Sequence, residues 1–87
     1  MKAVVTVVGK DKPGIIAKVS TVLYENNINI LDISQTIMQD LFTMIMLVDM
    51  SSSTVRTISD KLDNVAEEIG VKIHLQNEEL FSSMHRI

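Results

Sequence analysis

Two glycines, a proline and a carboxylate fall together at Gly9, Asp11, Pro13 and Gly14, just before Ile15. The Gly9 to Gly14 spacing matches the glycines of a phosphate-binding P-loop, but that loop needs Lys and then Ser or Thr next. Ile15 and Ile16 stand there instead, which excludes nucleotide binding of that type. What such a stretch can do is end on a helix start, where free backbone N–H groups and the helix dipole favour a carboxylate. Pro13 suits a first helical turn, because its missing N–H would have no partner there. Gly14 leaves the backbone open to close approach by a ligand. Asp11 can cap the helix, or its carboxylate can receive an ammonium group. The same residues would also make a capped strand-to-helix corner that binds nothing.

Other residues offer less. His74 and His85 have no carboxylate at ligand spacing, so no metal site is expected. Asp32 and Ser34 alternate on one expected strand without a histidine beside them, which makes a Ser/His/Asp hydrolase a poor reading. The chain has no cysteine, hence no disulfide, no thiolate zinc site and no thiol nucleophile, in keeping with a cytoplasmic location. A net charge of -3 without a Lys/Arg cluster argues against binding nucleic acid through its phosphates. The aromatic residues are only Tyr24, Phe42 and Phe81, too few on the central strands for stacking bases. An acylphosphatase-like enzyme would need an arginine in the first loop, which has Lys10 and Lys12. No cofactor is implied, and no apolar run is long enough to cross a bilayer.

The elements that must position the opening stretch follow from periodicity. With 87 residues the chain is read as one domain with an aliphatic core, and stability thin enough for a second copy to help. Residues 2–8, apolar at both parities, predict a strand in the middle of a sheet, ended by Gly9. Ile15, Val19, Val22 and Leu23 recur at helical spacing, and "ENN" closes that helix with a residue tolerant of a left-handed cap. Residues 28–39 read as a second strand whose parity slips near Ile30, the mark of a bulge. Asp40 supplies a turn into a central third strand over residues 42–50. Met38, Met44, Met46 and Met50 fall at even spacing there and read as core filling.

Ser53 is the expected N-cap of a second helix carrying Val55, Ile58, Leu62, Val65 and Ile69, with Gly70 at its C-terminal cap. "VKIHLQ", residues 71–76, alternates as a strand with one wet face. Asn77, Glu78 and Glu79 open a short helix bearing Leu80, Phe81, Met84 and Ile87, with Arg86 in its last turn. The order βαββαβ predicts an α+β, ferredoxin-like fold. Its four-stranded antiparallel sheet should have order 4-1-3-2, with two helices on one face and a short C-terminal helix added. Strands 2 and 4 are its edges, which favours a homodimer.

The stretch "GKDKPGIIAKV" followed by a helix, then "NNINILDISQ" opening strand 2, resembles an ACT domain, the ligand-sensing module of many proteins of amino-acid metabolism. The resemblance covers residues 2 to 76; the expected division is an ACT domain at 1–77 and a tail at 78–87 packed on the domain or on a partner. It implies a ligand between the strand 1 to helix 1 loop of one subunit and the start of strand 2 of the other. Carried over by position, the loop residues are Asp11, Pro13, Gly14 and Ile15, and the strand residue is Asn29. The Gly14 and Ile15 backbone would receive the carboxylate; Asp11 and the Asn29 amide would hold the amino group. Some amino-acid-binding members carry a polar or imidazole side chain where this chain has Gly9.

The chain further resembles the small stand-alone ACT-domain proteins of bacteria and archaea, of the glycine-cleavage-repressor type. That implies a non-enzymatic regulatory homodimer binding a small amino acid or similar ligand. The alternative is a ligand-free dimerisation and protein-interaction module that docks through its tail.

Overall fold

The computed structural model describes residues 1–50 and 55–79. Ser53 and residues 80–87 of the expected terminal helix lie outside them. The elements are β1 (Lys2–Lys10), α1 (Ile15–Glu25), β2 (Asn29–Met38), β3 (Leu41–Asp49), α2 (Val55–Ile69) and β4 (Val71–Asn77). The strands form one antiparallel sheet in the order β2-β3-β1-β4, the expected 4-1-3-2 of a ferredoxin-like fold.

β1 is central because both of its edges are used. It pairs with β3 from Lys2↔Asp49 to Lys10↔Leu41 and with β4 from Ala3↔Asn77 to Gly9↔Val71. One face of the sheet packs on the helices: Ala3, Val5 and Val7 join Phe42, Met44, Met46 and Val48, with Ile15, Val19 and Leu23 of α1 and Ile58 and Leu62 of α2 above them. Burying each such aliphatic side chain contributes roughly 1.5–3 kcal/mol. Met44, Met46 and Met50 fill this core as expected, whereas Met38, at the end of β2 opposite Leu41, lies on the other face of the sheet and is 69% exposed.

The parity slip in strand 2 is a real bulge. The register jumps between Ile30 and Asp32, leaving Leu31 as the extra residue. Its effect is to bring Ile33 and Ile37, opposite Met46 and Phe42, onto the same face as Ile30 instead of the reverse one. They remain 45% and 49% exposed, so the edge strand keeps an uncovered apolar side. The Gln39–Asp40 link is a two-residue hairpin loop with Gln39 at φ 57.

Both helices stop in the left-handed conformation. After α1, the N–H of Ile28 donates to Leu23 O at 2.9 Å and that of Asn27, at φ 58, to Tyr24 O at 3.1 Å, a Schellman motif in which Leu23 and Ile28 are both buried. Gly70, at φ 70, ends α2.

Gly9 does not end β1, as expected from sequence, but lies inside it, paired with Phe42 and Val71. A Cβ there would lie 2.6 Å from Val71 Cγ1 and 2.9 Å from its Cβ, on a side chain that cannot swing away. Gly9→Ala is therefore expected to destabilise the fold by about 1–3 kcal/mol, as overpacking does, measured by urea denaturation; an unchanged midpoint would show that β4 can yield at Val71.

Candidate functional site

The loop between β1 and α1 is tied to the hairpin beside it, Asp11 N–H donating to Asp40 O at 2.7 Å. Asp11, Pro13 and Gly14 are exposed while Ile15 is buried in the core as an anchor. Gly14 is the N-cap of α1 at φ 92, ψ -3, and its carbonyl accepts the first helical bond, from Lys18 N–H at 2.9 Å. Two expectations are corrected here. Pro13 precedes the cap instead of occupying the first turn, because a residue at φ 92 cannot belong to a right-handed helix. Asp11 does not cap α1: no side chain hydrogen-bonds at this cap, and the first turn holds no acidic residue. The amides of Ile15, Ile16 and Ala17, which an α-helix leaves without an internal acceptor, thus have no side-chain cap.

Asn29 is elsewhere. It opens β2 opposite Asp49, which in turn pairs with Lys2, at the end of the sheet where β1 begins. The Asp11–Ile15 loop follows Lys10, the last residue of β1. Eight strand steps separate these ends, about 26 Å at 3.3 Å per residue. One chain therefore brings Asp11, Pro13, Gly14 and Ile15 together and keeps Asn29 apart from them.

Around Asn29 lies an open hollow of about 360 Å³, between the outer face of α1 and the start of β2, lined by Ser20, Thr21, Leu23, Tyr24, Ile28, Asn29 and Ile30. The volume lies within the range of about 300–1,000 Å³ usual for small-molecule clefts. Ser20 and Thr21 donate their hydroxyl hydrogens to Ala17 O, at 3.3 and 2.7 Å. Their oxygens are left as acceptors, and with the Asn29 carbonyl they suit an ammonium group. Ser20, Thr21 and Tyr24 were not singled out from sequence; the signal available was Ser20 and Tyr24, one turn apart on a helix surface.

Among the described residues no group of three or more His, Asp or Glu side chains could hold a metal. No described helix is long and apolar enough to cross a membrane.

A side chain at Gly14 would meet nothing within 4 Å, so only its backbone conformation resists substitution. Gly14→Ala is expected to cost about 1–2 kcal/mol through left-handed strain, read as a lowered urea midpoint with an unchanged circular dichroism spectrum; a neutral result would mean that the corner relaxes to negative φ without loss.

The profile of the ACT domain family matches residues 2–76. A UPF0237 protein of Clostridium acetobutylicum is 56% identical over 89 residues, covering 100% of both chains. The structure of an ACT domain protein from Streptococcus pneumoniae superposes with a TM-score of 0.82 at 39% identity, covering 93% of each chain. That of a candidate glycine cleavage system transcriptional repressor gives 0.78 at 25% identity, over 86% of this chain and 44% of that one. With the βαββαβ order, the 4-1-3-2 sheet and the glycine-started helix already in place, the match over nearly the whole length makes this chain a member of the ACT domain family.

Proposed function

We propose that the protein is a non-enzymatic, cytoplasmic regulator that works as a homodimer and takes a small amino acid or similar zwitterion between its subunits. The observation that carries this reading is the separation of two complementary half-sites. At one end of the sheet stand uncapped amides at the start of α1, which suit a carboxylate. At the other stand Asn29 and the hydroxyl oxygens of Ser20 and Thr21, which suit an ammonium.

A two-fold dimer built by antiparallel pairing of two β2 edges reverses one chain's ends against the other's. It thereby sets Asn29 of each copy beside the Asp11–Ile15 loop of its mate, and the uncovered Ile33 and Ile37 would be buried in the process. The ACT family is regulatory and often binds amino acids, and the similarity to a glycine cleavage system repressor supports the same class of role.

In a thermal-shift series of the common amino acids, a cognate ligand at about 100 times its Kd should add about 2.7 kcal/mol of stability. Asn29→Ala should remove that shift while leaving the unliganded protein folded, since Asn29 is exposed. The decisive arm mixes this variant with Asp11→Lys, each inactive alone. In heterodimers one of the two sites is then intact, so about a quarter of the binding capacity should return on random re-pairing. Binding that does not return in the mixture, or no shift from any amino acid at millimolar concentration, overturns the proposal in favour of a ligand-free interaction module.

A further inference from the structure

The sheet face turned away from the helices carries Val4, Thr6 and Val8 on β1 and Leu41, Ile45 and Leu47 on β3, with no described helix upon it. Exposure along it is uneven. Val4 is 5% exposed and Val8 37%, although both are valines of one central strand on one face. Val4 is flanked by Leu47 and Gln76, both half-buried, and Val8 by Thr43 and the exposed Lys72. The larger Leu47 accounts for part of the difference. The sheltered end is also the end at which β4 leaves the sheet, Asn77 lying opposite Ala3.

The register sets Gln76, Val4, Leu47 and Asp32 in one row straight across the four strands. We infer that the C-terminal segment, residues 78–87, lies as a helix across this row of its own chain and covers the sheltered end of the open face. Its length fits: ten helical residues span about 15 Å, and the three interstrand steps from β4 to β2 span about 14 Å. Its pattern fits as well, for Leu80, Phe81, Met84 and Ile87 form one helical stripe of the width such a face requires.

The turn that launches it is present, because Asn77 Oδ1 accepts the N–H of Glu79 at 2.8 Å directly after β4. In that helix Arg86 falls on the side opposite the apolar stripe, which leaves its charge to solvent. A segment tethered one residue from its docking row has an effective concentration in the millimolar range, which favours the chain's own tail over a second copy.

The absence of cysteine makes a clean test. In the full chain, the pair Leu47→Cys and Met84→Cys should oxidise to an intrachain disulfide in high yield. The pair Leu41→Cys and Met84→Cys, six residues or about 20 Å further along the same strand face, should not. Equal yields from both pairs, or products linking two chains, overturn the inference; the latter would assign the face to a second copy. Independently, Phe81→Ser should shift the methyl resonances of Val4 and Leu47 and leave those of Val8 and Leu41 in place. Unmoved Val4 and Leu47 signals overturn it without any cross-link.

Discussion

Strand β1 is hydrogen-bonded along both edges, and Ala3, Val5 and Val7 beneath the helices are fully buried. Everything else is placed relative to that double pairing. β3 and β4 can lie on either side of β1 only if β2 and β4 become the edges, and both helices must then cover the face on which the odd side chains of β1 point. The close contact of Gly9 with Val71 belongs to the same constraint, since it lets β4 stay paired as far as β1 reaches over the last turn before the loop. Among the described residues, no polar or charged residue is buried in the core formed in this way. It is held by aliphatic burial and ladder hydrogen bonds, with three methionines filling the space that aromatic rings would fill elsewhere.

From this arrangement the two ends of α1 acquire different roles. Its start, after a glycine in the left-handed conformation, leaves amides open at one end of the sheet. Its finish, a Schellman motif with Leu23 and Ile28 buried together, turns the chain so that Asn29 begins the edge strand at the opposite end. The start of α1 and Asn29 thus stand at opposite ends of the sheet, and a rigid sheet cannot fold one onto the other. The bulge at Leu31 aims Ile33 and Ile37 to the same side of the edge strand as Ile30, with Gln35 between them.

The order of elements was legible because each depends on neighbours a few positions away. Alternation marked the last strand, the 3.6-residue period marked both helices, and the parity slip at Ile30 and Leu31 foretold the bulge. Gly70 and the two asparagines announced helix ends through the φ values they tolerate. The candidate site was legible only in part. Asp11, Pro13 and Gly14 stood out by residue type and spacing, and Ile15 and Asn29 were added by a family resemblance, whereas Ser20, Thr21 and Tyr24 depend on how α1 is rolled over the sheet. That roll is set by Ile15, Val19 and Leu23 against side chains from three strands, a packing outcome no local pattern contains.

Taken alone, then, the sequence determined the βαββαβ order, the central position of the first and third strands and the aliphatic character of the core. These are consequences of steric and hydrophobic preferences acting within a turn or a strand. The tertiary structure decided that Gly9 is a packing necessity inside β1, that Pro13 stands outside the helix, and that Asn29 lies a sheet's length from the Asp11–Ile15 loop of its own chain. Each depends on which strand runs beside which, and strand register couples residues dozens of positions apart, beyond the reach of any periodicity.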